Sequence, residues 1–208
     1  MYTQLRLSKI FFLLLIWTAP ALAGDHAFFE DFSNGFTVFT VDDPKASINN
    51  GKLMWKTRNF LNTKFKWDVP IEDVAIEFDG YCVKNGFNVY LRNDKNLGYT
   101  IILGGWGNKN SGSQYGKKWS HRKLVHGKVW NPRQWHHYKI IRNGDKLAAY
   151  CDGTIIFQRI IEQHFEGPAK LWFNSHNTPV GLDNVKVYSL HEPPPASLPV
   201  KTAKAPES

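Results

Sequence analysis

Apolar and polar residues alternate with a period of two along most of the chain, and Gly, Asn, Asp and Pro break the alternation at short intervals. The clearest stretch is Trp135 to Gly153, WHHYKIIRNGDKLAAYCDG. It predicts two strands joined at Asn143-Gly144-Asp145, because Asn-Gly is the turn chemistry that a right-twisted hairpin selects. Tyr138 and Ile140 on one strand, with Leu147, Ala149 and Cys151 on the other, form an apolar face that a second layer must cover. Asp152-Gly153 then turns the chain into a third strand, Thr154 to Arg159.

The same period predicts strands at Phe36–Val41, Lys52–Thr57, Leu61–Phe65, Val74–Cys82, Phe87–Arg92, Tyr99–Leu103, Ala169–Asn174 and Val180–Tyr188. Only Ile160 to Phe165 has room for a helical turn. Many short strands with turns between them imply an all-β fold, a two-sheet antiparallel jelly-roll sandwich. An aromatic share of 14% with 16 Gly and 11 Pro suits it.

The two ends differ from this core. In Met1–Ala23, Arg6 and Lys9 precede an apolar run from Ile10 to Trp17, and Ala21-Leu22-Ala23 supplies small residues for cleavage, the pattern of a signal peptide. The run is shorter than the ~20 residues needed to span a bilayer, so the expected product is exported, periplasmic or extracellular, with no transmembrane segment after cleavage. The sandwich then occupies 24–190, and 191–208, rich in Pro and Ala, reads as a disordered tail. The formal charge of +8 falls to +6 once Arg6 and Lys9 leave. Such an excess favours polyanionic neighbours, but export argues against nucleic acid.

Strand phase assigns faces. Cys82 and Cys151 both point inward, and their spacing leaves open one disulfide or two separate buried thiols. In Phe87–Arg92, the residues Asn88, Tyr90 and Arg92 lie on the face away from the core. So do Trp172, Asn174 and His176 in the segment from Lys170 to His176. Rings stack on sugar faces while amides and guanidinium groups take hydroxyls or carboxylates, so these six residues have the composition of a glycan groove. The alternative is that Tyr90 and Trp172 form a minor core under the long segment Gly104–Trp130. That segment carries Trp106, Tyr115, Trp119, Trp130 and the cations Lys117, Lys118, His121, Arg122 and Lys123. It reads either as a lid, with Trp106, Lys118 and Trp119 reaching the sugar, or as a solvated basic hairpin.

The run W-H-H-Y-x-I-x-R-N-G followed by L-x-x-Y-x-D-G resembles the central hairpin of concanavalin A-like lectin/glucanase sandwiches. Laminin-G-like modules and jelly-roll domains of the 3-keto-disaccharide hydrolase type carry similar runs. Phe29-Glu30-Asp31-Phe32, Gly51-Lys52-Leu53, Asn85 to Arg92 and Gly181-Leu182-Asp183-Asn184-Val185 fit the same pattern, so the likeness covers Ala27 to Leu190. It implies a sugar surface on the concave sheet. It also implies a structural calcium ion tying the first and last strands together through Glu30, Asp31 and Asp183, oxygen ligands of the right kind. Strand-end carboxylates capping turns account for the same residues.

Catalytic patterns are sparse. The strand motif of the glucanases, two Glu flanking an Asp, does not occur. Where the hydrolase-like domains often read Gly-Tyr-Glu, this chain has Gly98-Tyr99-Thr100. His137, His176 and Asp94 remain as candidate catalytic groups, and His137 has no acidic partner legible in the sequence. The 8 His residues show no spacing of a zinc motif. The sequence thus implies an exported carbohydrate-binding module, with a glycan-cleaving hydrolase or lyase as the second reading and an envelope module that meets a protein partner as the third.

Overall fold

The computed structural model describes residues 28–35, 39–41, 46–55, 63–69, 73–93, 95–116, 122–161, 169–175 and 178–191. The expected targeting segment 1–23, the tail beyond His191, Asp94, His176, Lys118, Trp119 and residues 162–165 of the expected helical turn lie outside them. No described helix is long and apolar enough to cross a membrane.

Fifteen strands occur among the described residues. They are β1 (Phe28–Glu30), β2 (Phe39–Val41), β3 (Ser47–Asn49), β4 (Lys52–Trp55), β5 (Thr63–Val69), β6 (Val74–Cys82), β7 (Phe87–Arg92) and β8 (Gly98–Gly104). They continue with β9 (Asn110–Tyr115), β10 (Arg122–His126), β11 (Trp135–Asn143), β12 (Lys146–Cys151), β13 (Thr154–Ile160), β14 (Ala169–Ser175) and β15 (Val180–Ser189). One sheet has the order β13-β12-β11-β6-β15-β4-β3, with β1 also paired to β15; the other runs β10-β9-β8-β7-β14-β5-β2. All these pairs are antiparallel; β7 to β10 follow one another in the second sheet and β11 to β13 in the first, while β6 and β7, and β14 and β15, cross between layers.

The hairpin is as its pattern predicts. Tyr138 pairs with Cys151 and Ile140 with Ala149, and Tyr138, Ile140, Leu147, Ala149 and Cys151 are buried. Gly144 takes a φ of 55° at the first central position of the turn, and its N–H is held by Asp73 Oδ1 at 2.8 Å. Asp152 and Gly153 both have positive φ, 48° and 76°, the backbone of a primed two-residue turn.

Phe78 of β6 sits where the layers meet. It stacks on Tyr138 at 5.0 Å and meets Phe87 and Phe173 edge-on at 5.3 and 4.9 Å, so rings of both sheets interlock. Each such pair adds about 0.5–1.5 kcal/mol beyond burial of area.

Among the described residues, much of the segment Gly104–Trp130 is paired strand. Its described parts form β9 and β10, which extend the second sheet. Backbone pairing wins because a sheet edge offers hydrogen bonds that a free loop lacks. Tyr115 packs on Tyr99 at 5.3 Å, and Trp130 is buried in the core cluster. Trp130 fills space that two glycines leave: a Cβ on Gly104 would lie 1.5 Å from its indole, and one on Gly86 2.2 Å.

Both cysteines are buried free thiols. The disulfide option fails on register. Cys151 pairs with Tyr138 and Tyr138 with Phe78, four positions from Cys82 on β6. Strands β6 and β12 are thus two spacings of roughly 4.8 Å apart, beyond the ~7 Å between Cα atoms that a bridge spans.

Candidate functional site

Register aligns the residues that the sequence placed on the outer face of the second sheet. Trp172 pairs with Tyr90, Tyr90 with Thr100, Thr100 with Gln114 and Gln114 with Arg122, one row across five strands. A second row runs Asn174, Asn88, Ile102, Gly112 and Leu124. Alternation puts Phe87, Val89, Leu91, Leu171 and Phe173 on the opposite, buried face.

One end of the first row is aromatic. Trp172 and Tyr90, both half-buried, stack with centroids 5.3 Å apart and planes 11° from parallel. The Arg92 guanidinium lies 5.0 Å from the Tyr90 ring centroid. Burial raises the Tyr90 hydroxyl above its ordinary value, so it stays a neutral phenol.

The other end is cationic. Arg122 donates from Nε and Nη2 to Gln114 Oε1 at 3.0 and 2.8 Å, and its guanidinium lies 4.9 Å from the Trp106 ring. Trp106 is 49% exposed and adopts a left-handed φ of 51° in the turn Gly105–Asn108. Side chains clamp that turn: Gly107 N–H donates to Asn85 Oδ1 at 2.6 Å, and Asn108 donates to the Trp130 carbonyl at 2.6 Å. A half-exposed indole on a fixed turn is a preorganised contact.

The structure corrects the sequence expectation for three polar residues. Asn88, Arg92 and Asn174 are 6, 7 and 1% exposed, buried and not presented to solvent. Arg92 Nη2 donates to Thr100 Oγ1 and to the Gly116 carbonyl, which the end of β9 brings over this face. Burial lowers its basicity from the ordinary range. Arg92 therefore ties strands together, and the solvent-facing cation of the row is the half-buried Arg122, whose extension from β10 no strand assignment of the loop had provided.

The first sheet carries a different group on its outer face, on the opposite side of the sandwich. His137 Nδ1 lies 2.8 Å from Asp79 Oδ1 and Nε2 3.9 Å from Glu77 Oε2. Asp79 also accepts from Asn184 Nδ2 at 2.8 Å. Asp79 is the acidic partner that the sequence did not reveal, because β6 lies more than fifty residues from β11 and only pairing joins them. Burial works to raise the Glu77 carboxyl, but hydrogen bonds from Lys139 and Tyr188 outweigh it and hold it below its ordinary value. Neither thiol is a nucleophile: burial raises Cys82 well above the ordinary range and pushes Cys151 to about 12, with Asp152 adding to the latter.

Glu30, Asp31 and Asp183, the oxygen ligands of the calcium expectation, each have a partner within the protein. Glu30 Oε1 accepts from Phe32 N at 3.0 Å, Asp31 caps Ser33, and Asp183 Oδ2 pairs with Lys52 Nζ at 2.8 Å. Among the described residues, only His136, Cys151 and Asp152 converge as three or more His, Cys, Asp or Glu donors. The carboxylates at the first and last strands thus make turn-capping and ion-pair contacts.

With both sheets and their faces described, the molecule is a concanavalin A-like jelly-roll sandwich. Solved structures share it. A prokaryotic β-1,3-1,4-glucanase (lichenase) derived from a mouse hindgut metagenome is 12% identical, with a TM-score of 0.61 over 79% of this chain and 99% of that one. The carbohydrate-binding module CBM66 from Bacillus subtilis is 12% identical, with a TM-score of 0.57 over 74% and 96% of the two chains. The carbohydrate recognition domain of Emp47p is 12% identical, with a TM-score of 0.59 over 80% and 96%. No family model matches the chain, and no curated protein matches it in sequence. At such identities the likeness is one of fold.

Proposed function

We propose that the protein is an exported carbohydrate-binding module that holds a poly- or oligosaccharide across the outer face of the β10–β2 sheet. One observation carries this reading: the Trp172–Tyr90 stack and the Arg122–Trp106 pair lie at the two ends of one register row on a single face. A ring site at each end offers stacking to separate sugar units of one chain, and the half-buried Arg122 offers hydrogen bonds, while the buried Thr100 and Gln114 hold the row together. Arg122 on this face suits a carboxylate or sulfate on the glycan, so an acidic saccharide is the preferred ligand class. Glucanases and carbohydrate-recognition domains of the same fold support a sugar ligand in general terms.

A glycan-array screen of the purified protein at two salt concentrations, with product analysis of every hit, tests this. Binding that weakens with salt and is lost in Trp172→Ala is the expected result. Silence across the array would sink the reading and favour a protein partner for the same face.

A glycan-cleaving activity is the second reading, favoured by the His137–Asp79 contact with Glu77 nearby. That group lies on the opposite side of the sandwich from the aromatic row, so it would serve a separate groove. Cleavage products that disappear in Asp79→Asn and persist in Trp172→Ala would establish it.

A further inference from the structure

We infer that His136, Cys151 and Asp152 form a binding site for a zinc-class divalent cation at the turn between β12 and β13. This site is independent of the sugar-binding reading. Their ligand atoms all lie within 4.8 Å of one another. A nitrogen, a sulfur and a carboxylate oxygen are a donor set for borderline-soft metals such as zinc and not for calcium.

Both ring nitrogens of His136 face acceptors. Its Nε2 faces the Asn131 carbonyl at 2.9 Å, an oxygen that can only accept, so Nε2 carries a proton. Its Nδ1 faces Asp152 Oδ2 at 2.6 Å, another acceptor. With Nε2 donating, the gap between Nδ1 and Oδ2 must hold either a second proton or a metal ion. The carbonyl that fixes the tautomer is the arrangement that orients metal-binding histidines.

The buried side of the site points the same way. The Tyr138 hydroxyl, in a side chain with 0% exposure, has no hydrogen-bond partner, and Tyr138 stands opposite Cys151 in the hairpin. A metal-bound thiolate would accept from it. The solvent side has room to adjust: the Asp152 side chain is 55% exposed. Two ligands of a tetrahedral zinc stand about 3.3 Å apart. The 2.6 Å between Nδ1 and Oδ2 therefore has to open by under about 1 Å, while Asp152 Oδ1 stays anchored by the His137 backbone N–H at 2.9 Å. Three protein donors leave the fourth position to water. The ion would tie the start of β11 to the end of β12, where the Asp152 backbone N–H already donates to the His137 carbonyl at 2.8 Å.

The test uses the purified full chain, reduced and stripped with chelator, titrated with cobalt(II) and then zinc. The expected result is a near-ultraviolet sulfur-to-cobalt charge-transfer band that saturates at one metal per chain and is abolished by zinc. Cys82→Ser should keep the band and Cys151→Ser should lose it. Asp152→Asn changes an exposed side chain and should fold, and its affinity should fall about tenfold or more. A folded protein with no such band, a band that persists in Cys151→Ser, or an Asp152→Asn protein that binds as tightly as the parent overturns the proposal. The contact between His136 and Asp152 would then be a hydrogen bond alone.

Discussion

The indole of Trp172 lies flat against the phenol ring of Tyr90, 5.3 Å between centroids, although the two residues are more than eighty positions apart. The contact is made on the outer face of a sheet, where rings are not needed to fill the core, and it leaves both side chains half-buried. Replacing Trp172 by Ala should cost about 0.5–1.5 kcal/mol of stability from the ring pair. Under the proposed function it should also abolish glycan binding. Urea denaturation and a binding titration on the same variant separate the two effects.

Arg92 should behave in the opposite manner. Its guanidinium is spent on Thr100 and Gly116 inside the protein. Arg92→Met should lower stability by about 1.5–3 kcal/mol, since the Gly116 carbonyl loses a charged donor. Glycan affinity should change less than in Trp172→Ala. A similar loss of affinity in a stably folded Arg92→Met would show that the guanidinium also meets ligand.

Two glycines separate steric need from backbone need. A Cβ at Gly86 would stand 1.8 Å from the Leu103 carbonyl oxygen, whereas one at Gly144 meets nothing within 4 Å. Gly86→Ala must push β8 away and should cost about 3 kcal/mol. Gly144→Ala carries only the cost of a left-handed residue, about 1–2 kcal/mol. Their urea midpoints should fall in that order.

Acid should act through Glu77. Its folded-state value is held below the ordinary 4.5, so on acidification the unfolded chain takes up the proton first. The contribution is complete above about 4.5 and is lost as pH falls through the lowered folded value. Glu77→Gln should therefore melt below the parent near neutrality, and the difference should shrink in acid. A constant difference across that range would remove Glu77 from the account.

The thiols should be unbridged. Denaturation without reductant followed by alkylation should label both Cys82 and Cys151, and the melting temperature should not change with reductant. A mass two hydrogens lighter than the dithiol form would contradict the register that keeps β6 and β12 apart.

The period of two determined a great deal unaided. It placed β6 and β7 with the bounds observed, set two strands on either side of the turn at Asn143-Gly144-Asp145, assigned their inward residues and put Trp172 and Tyr90 on one outer face. These follow from local geometry, because side chains alternate along any strand and turns need residues that tolerate positive φ. Pairing between distant strands is a property of no single stretch, and there tertiary structure decided. It paired β10 with β9, buried Arg92 beneath the Gly116 carbonyl, and set Asp79 against His137. It also brought His136 to Cys151 and Asp152 from fifteen and sixteen residues away, through the fold-back of β11 on β12. No motif of adjacent ligands announces that cluster. Only the register of the hairpin, with the Asp152-Gly153 turn at its end, carries three donors to one point.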